Sequence, residues 1–503
     1  MRPNLRSFPA LFFITVIVII QSPVLIFADE ASTIRRFEHA KASEPQLIAL
    51  LKAMPKGADL HNHVGGAVYA ETFLDAAIKS NLYFDPKAIR FVEEQIPGSV
   101  PAKDLLTNSK LASKFLDNSS IRGCYPAVES GHDHFFDTFS HFDLPDSVLS
   151  NVEMLQTVVS RAMGQNIQYM ELMGSTVPGD ARRAALQNPP PVDDMEAALA
   201  EMQKRFPALI AASKAYLDQT DAELAKLLDI KDPTTGADGP INFRYIYSVS
   251  RISANESFFA QMACGMALVQ NDKRIVSVNI LAPEDDTMAR RNFKSQMKII
   301  DFLWNRMGKP KLTLHAGELT LTCSPLEDMR SRIRMSVELG HAQRIGHGVS
   351  IAWEDDLPGL LNKMKRNRVC VEICLTSNDV ILNVSGDKHP FNLYREAGVP
   401  INLNTDDEGV NRSNLTMEFL RAVRTYNLSY KDLKWLARNS IEYSFLPGIS
   451  LYRNGDYSTL LPEFKNIRTP NWVPSDQARK LMASSEKLTV QVRLERAFVK
   501  FEN

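Results

Sequence analysis

Cysteine is scarce and odd in number: five in 503 residues, Cys124, Cys264, Cys323, Cys370 and Cys374. That excludes a disulfide framework, and no pair has zinc-ribbon spacing. Cys370 and Cys374 fall in the strand-like run Arg368-Val-Cys-Val-Glu-Ile-Cys-Leu375. Four residues along a strand span roughly 13 Å, too far for a bond, so both read as core. Nothing in the sequence argues for pairing Cys124 with Cys264. Charge of one sign is also lacking. Lys and Arg number 58 against 59 Asp and Glu, a net charge of −1, so nothing favours nucleic acid or an anionic membrane as partner. Internal repeats and low-complexity segments are absent.

The chain is otherwise ordinary for a soluble globular protein, with 44% hydrophobic and 23% charged residues. One long apolar stretch stands at the N-terminus. Arg2 and Arg6 precede the run Pro9 to Ile20, Gln21-Ser-Pro23 interrupts it, Val24 to Phe27 resume it, and Ala28 precedes Asp29-Glu30. This pattern reads as a secretory signal over residues 1–28. It implies a secreted or periplasmic destination, without stable membrane association after cleavage. The interruption disfavours an uncleaved anchor.

A helical extension is expected over 29–56, with Leu47, Leu50 and Leu51 at helical spacing and Pro55-Lys-Gly57 ending it. Strand-like runs then alternate with helical stretches. The strands are Gly57–His63, Ile167–Met173, Ile241–Val249, Ile275–Leu281, Lys311–His315, Arg344–His347, Val369–Leu375 and Val399–Asn404. Most are apolar with few polar breaks, as parallel strands buried on both faces are. Eight of them separated by helices predict an α/β fold, a (β/α)8 barrel over 57–449. A helical insertion is expected at about 180–240, opened by Pro189-Pro-Pro191. It suits a lid or a subunit contact, and so a homodimer. The tail 450–503 reads as two helices.

Polar residues gather at the strand ends, where barrel enzymes place their sites. The segments are Asp59-Leu-His61-Asn-His63, Leu314-His315-Ala-Gly317-Glu318, Arg344-Ile-Gly-His347-Gly348 and Asn404-Thr-Asp406-Asp407. Residues i and i+2 point to one side of a strand, so His61 and His63 can reach one ion. Each segment alone has a bland reading: His315 as a structural histidine, Asp406 as a cap or solvated acid. Together they suit a divalent transition metal held by His61, His63, His315 and Asp406. Glu318, His347 and Asp407 are left for proton chemistry. Glu318 stands three residues beyond His315, beside the metal but not on it. His347 lies between two glycines, which let the backbone turn tightly.

These segments resemble the adenosine/AMP deaminase family, a branch of the metal-dependent amidohydrolases. Met54-Pro-Lys-Gly-Ala-Asp-Leu-His-Asn-His63 is especially similar to secreted, growth-factor-type adenosine deaminases. The match runs in order from Gly57 to Gly409. The resemblance implies one Zn2+ per chain on His61, His63, His315 and Asp406. It implies Glu318 as proton donor to N1 of a purine, His347 as the residue positioning the attacking hydroxide, and Asp407 as a second partner that also meets the base near N7. The implied reaction converts adenosine or 2′-deoxyadenosine to the 6-oxo nucleoside and ammonia, with a small-molecule purine nucleoside as partner and no nucleic acid. No lysine ends the fourth strand to bridge two metals, which fits a single ion.

Two positions depart from the family pattern. An Asp that helps hold the ribose is replaced by Gly65, and a Gly whose N–H meets N3 of the purine aligns with Pro283, which has no N–H. Gly317, Glu284, Asp285, Phe135 and Phe139 are substrate-binding candidates. Glu284, Asp285 and the aromatic stretch from Phe135 to Phe142 are the ones placed to compensate, although Phe135, Phe136 and Phe139 also read as plain core. Two other readings follow. One is the same barrel acting on another aminated heterocycle. The other is an extracellular binding or signalling protein with secondary deaminase activity.

Overall fold

The computed structural model describes residues 29–123, 130–142, 144–230, 234 and 240–503. The signal-peptide expectation over 1–28, and Cys124, lie outside these residues. The other four cysteines are free thiols. Among the described residues no helix is long and apolar enough to cross a membrane.

The eight expected strands form a parallel (β/α)8 barrel: β1 Gly57–His63, β2 Ile167–Met173, β3 Asn242–Ser250, β4 Ile275–Leu281, β5 Thr313–Ala316, β6 Arg344–His347, β7 Cys370–Ile373 and β8 Ile401–Leu403. They pair as two four-stranded sheets, β1 to β4 and β5 to β8. Parallel bridges Asn62↔Asp406 and Val278↔Leu312 join the sheets into a ring. The strands are buried on both faces, which is why they read as apolar runs.

The barrel interior is not wholly apolar. Arg344 is buried there, its guanidinium between Glu171 Oε2 (2.6 Å) and Glu372 Oε1 (2.5 Å). The Arg344 guanidinium also lies 3.8 Å from the ring centre of Phe445. A buried charge needs such partners, and two carboxylates share this one.

Several local expectations are corrected. The N-terminal extension is two helices, Glu30–Ala40 and Glu44–Ala53. Pro45 sits in the first turn of the second, where its missing N–H costs nothing but would break a continuous helix. β7 stops at Ile373, where its partner β8 runs out at Leu403 and the helix Leu375–Leu382 begins. The insertion is three helices, Gly179–Leu186, Met195–Gln203 and Phe206–Leu228, and the first precedes the prolines. The tail has the two expected helices, Asp476–Ala483 and Glu486–Glu502, preceded by a hairpin of Tyr452–Arg453 with Asp456–Leu460. Its turn is Asn454-Gly455, both at positive φ, the preferred tight hairpin pair.

Candidate active site

The C-terminal ends of β1, β5, β6 and β8 deliver four imidazoles and two carboxylates to one place. His61 Nε2 lies 3.0 Å from His315 Nε2, and His63 Nε2 lies 3.3 Å from the same atom. Asp406 Oδ1 stands 3.3 Å from His63 Nε2 and 3.6 Å from His61 Nε2. Backbone hydrogen bonds between β1 and β8, His63 N–H to Asp406 O and Asp406 N–H to His61 O, fix this juxtaposition.

The ring orientations come from residues that sequence reasoning missed. His61 Nδ1 is 2.7 Å from Glu372 Oε2, and the other oxygen of Glu372 takes Thr313 Oγ1–H (2.7 Å) and Arg344. His315 Nδ1–H donates to Asn279 Oδ1 at 3.0 Å. Both Nδ1 protons are thus committed, so the Nε2 lone pairs of His61 and His315 face each other across 3.0 Å. Such an arrangement is repulsive unless a cation or proton lies between. His63 and Asp406 complete a donor set that fits a divalent transition-metal ion, and His347, with a ring nitrogen within 4.8 Å of the donor atoms of His61, His315 and Asp406, offers a further ligand. The signal in the sequence was a lone Glu in Cys370-Val-Glu-Ile373 and a lone Asn in Ile275-Val-Ser-Val-Asn-Ile-Leu281. A polar residue inside a doubly buried strand must have a partner.

The field of the site is negative at His61. Burial pushes that ring's pKa down, but Asp406 and Glu372 overrule it and hold it up at about 10. His63 and His347 are pushed down by burial to about 4 and about 3, and burial takes His315 well below its ordinary value. Burial, with the Asp406 charge added, lifts both Glu318 and Asp407 well above the usual carboxylate range. Both therefore stand as proton carriers in their own environment. Among the described residues Glu318 Oε1 and Asp407 Oδ1 have no hydrogen-bond partner, which leaves both able to meet a ligand.

Backbone strain marks the same place. His347 and Asp406 take φ of 66° and 59°, and Ala282, before Pro283, takes 87°. Such values are costly for non-glycine residues and are held here by the barrel. Two glycines make room. A Cβ on Gly346 would lie 2.8 Å from His61 Cε1, and one on Gly66 would lie 1.7 Å from Asp407 Oδ1. Gly66→Ala is therefore expected to displace the Asp407 carboxylate and lower kcat/KM by about 100-fold, the usual cost of a misplacement near 1 Å. Metal content should be unchanged. Kinetics together with elemental analysis check both halves.

The seven metal and proton-transfer candidates meet; the substrate candidates divide. Phe135, Phe136 and Phe139, on and beside the helix Gly131–Thr138, roof a cavity of about 470 Å3 that also contains Glu318, His347 and Asp407. Phe135 is otherwise packed into the core, so both readings of that residue hold. Asp285 faces an adjoining cavity of about 650 Å3, with its Oδ1 3.1 Å from His132 Nε2. Glu284 turns away and is buried. It accepts the backbone N–H of Glu318 at 2.7 Å and is held by Arg251 at 3.2 Å and Arg332 at 3.6 Å. It therefore positions Glu318 instead of touching the cavity. Gly317 likewise serves the chain turn, with φ of 77° and Ile333 and Ser350 2.8 Å from any added Cβ.

A family model described as adenosine deaminase matches residues 217–450. An adenosine deaminase from Enterococcus faecalis is 37% identical over 145 residues, 29% of this chain and 39% of that protein. One from Clostridium kluyveri is 24% identical over 403 residues, 79% of this chain and 91% of that protein. The matches at 30% identity or more span only 38–47% of the length of those relatives. An Arabidopsis N6-mAMP deaminase structure shares the fold, with a TM-score of 0.52 and 20% identity over 79% of this chain and 96% of that one.

Proposed function

We propose that this chain, which belongs to the adenosine deaminase family, is a zinc-dependent hydrolytic deaminase. It would replace the 6-amino group of adenosine or 2′-deoxyadenosine with oxygen and release ammonia. The observation that carries this reading is the convergence of His61, His63, His315 and Asp406 through contacts of 3.0–3.6 Å between donor atoms, beside the carboxyls of Glu318 and Asp407 that line one cavity roofed by phenylalanines.

Zinc on the four ligands would supply Lewis acidity, letting water act as a nucleophile near neutral pH. The chain's own residues would do the rest. Glu318, whose protonated form burial favours, would donate its proton to N1 of the purine, making C6 electrophilic. Asp407, ionised beside the bound zinc, would take one proton of the incoming water and pass it to the departing nitrogen, which leaves as ammonia. The second water proton, shed as C6 becomes the 6-oxo carbon, would return to Glu318. His347 would hold the incoming oxygen from its Nε2 side, which faces Glu318 Oε1 at 3.5 Å. The phenylalanine roof would exclude bulk water and stack on the base.

The electrostatics of the cavity support a nucleoside over a nucleotide. Among the described residues, neither the central cavity nor the adjoining one is lined by Lys or Arg, and the adjoining one carries Asp133, Asp285 and Asp379. Residues 124–129 contain no Lys or Arg either. The Arabidopsis neighbour is named for a nucleotide, whose phosphate would meet here, among the described residues, no Lys or Arg and only His132, a cation held at a pKa of about 9 and already paired with Asp285. Adenosine should exceed AMP in kcat/KM by about 100-fold or more, the worth of two or three charge-assisted hydrogen bonds. Comparable rates on the two would overturn the preference.

A second reading is the same chemistry on another aminated purine. Gly65 leaves open space, since an added Cβ meets nothing within 4 Å, and Pro283 offers no N–H to the cavity it lines. Adenosine, 2′-deoxyadenosine and adenine, assayed on zinc-loaded protein by ultraviolet absorbance and ammonia release, separate the readings. Ammonia from none of the three would sink the first. Export belongs to this proposal as well, supported by the Arg2–Ala28 pattern; a full-length chain retained in the cytoplasm would refute it.

A further inference from the structure

We propose that Asn378 and His389, which do not face the catalytic cavity, are positioning residues that fix which nitrogen of His347 carries its proton. A hydrogen-bond chain of one direction runs from a main-chain amide to the site. The N–H of Phe391, the first residue of the helix Phe391–Ala397, lies 3.1 Å from His389 Nδ1. His389 Nε2 lies 3.0 Å from Asn378 Oδ1, and Asn378 Nδ2 lies 3.0 Å from His347 Nδ1. All three side chains are buried.

Imidazoles and amides can usually be turned either way, so such chains are ambiguous. This one is not, because one end is a backbone N–H, which can only donate. His389 Nδ1 must therefore accept, and burial pushes that ring's pKa down to about 4, which keeps it neutral. Its proton is then on Nε2 and goes to Asn378. That sets the amide with oxygen toward His389 and nitrogen toward His347. The amide nitrogen has only protons to offer, so His347 Nδ1 must accept. A neutral His347 then carries its proton on Nε2, the nitrogen facing Glu318 and Asp406. His347 thus presents a hydrogen-bond donor to the reacting oxygen, and the role of base is left to Asp407.

The chain also gives a purpose to the polar residues of the segment between β7 and β8, which meets the cavity itself through the apolar side chain of Ile381. Asn378 lies in the helix Leu375–Leu382, and His389 follows the short turn Gly386–Lys388. The first unpaired N–H of the next helix is satisfied by His389, so the helix end anchors the polarity of the relay.

The test is Asn378→Asp. The shape is kept, but both oxygens accept, one from His389 and one from His347, so the proton of His347 moves to Nδ1. The kcat on adenosine should fall by about 100-fold or more, as other orienting-partner and wrong-tautomer changes do. KM, zinc content and unfolding midpoint should stay near wild type. His389→Gln, whose amide replaces the Nε2–H donor, should keep most of the kcat; His389→Leu should not.

The kinetic arm rests on the deaminase reading, so a spectroscopic arm stands apart from it. In the long-range 1H–15N spectrum of 15N-histidine-labelled, zinc-loaded protein, His347 is assigned by its loss in His347→Gln. It should be protonated at Nε2 in the wild type and at Nδ1 in Asn378→Asp. A wild-type Nδ1 proton, or one tautomer in both proteins, overturns the proposal. If Asn378→Asp does not fold, the wild-type spectrum and the two His389 variants decide. Expected spectra with no turnover of adenosine by any protein would count against the substrate, not against the relay.

Discussion

Replacing Glu318 by Gln should cut kcat on adenosine by about 10³-fold, within the range that general acids contribute, while zinc remains bound. The side chain keeps only 9% of its surface exposed, toward the cavity, and its main-chain N–H is pinned by Glu284, which Arg251 and Arg332 hold in turn. Burial, then the charges of Asp406 and Glu284, push its carboxyl pKa well up, which favours the protonated acid. Gln has the same shape and still offers an N–H to a ring nitrogen, so binding and KM should change little. It cannot release the proton, so the loss should fall on kcat. Elemental analysis separates this result from metal loss, since Glu318 is not in the ligand set. Turnover within tenfold of wild type would remove Glu318 from the acid's role. A rise in KM with kcat unchanged would make it a binding residue only.

What the sequence made legible and what it hid have one physical boundary. Strands buried on both faces announce themselves as apolar runs, so β1, β2, β4 and β6 are delimited to the residue. His61, His63, His315 and Asp406 were legible because each ends such a run. Their supports were not, since the partners are remote: His61 meets Glu372 across 311 positions, and His347 meets Asn378 across 31. Which polar residues of neighbouring strands face each other is a matter of barrel stagger, which no local pattern carries. Glu284 shows the cost. Its place after β4 made it a plausible substrate contact, but Arg251 after β3 and Arg332 after β5 draw its carboxylate under the cavity floor. The phenylalanine roof could be read either way from sequence because an aromatic helix over a cavity satisfies both readings at once: Phe135 is 3% exposed and Phe139 38%.

Removing the metal should abolish turnover altogether and also loosen the fold, and the geometry says why the two go together. The Nδ1 protons of His61 and His315 are held by Glu372 and Asn279, which aims two nitrogen lone pairs at each other across 3.0 Å. Neither ring can turn to relieve that contact without losing a buried hydrogen bond, typically worth about 1 kcal/mol and more to a charged partner. Without the ion, a proton on His61, whose pKa Asp406 and Glu372 hold up at about 10, must bridge that contact; a bound cation displaces it and draws in His63 and Asp406 as further ligands. If free metal stands a thousandfold above its Kd, binding adds about 4 kcal/mol of stability. Exhaustive chelation should therefore lower the unfolding midpoint, and zinc should restore both midpoint and activity. In His315→Ala the pinned ligand is gone, and zinc at the same concentration should restore neither. The mutant also separates two meanings of lost activity. If chelated wild-type protein kept its midpoint but lost turnover, the ion would be catalytic without being structural. If it kept full turnover with no metal detectable, the four converging side chains would not be a metal site, and hydrolysis would have to rest on Glu318 and Asp407 alone.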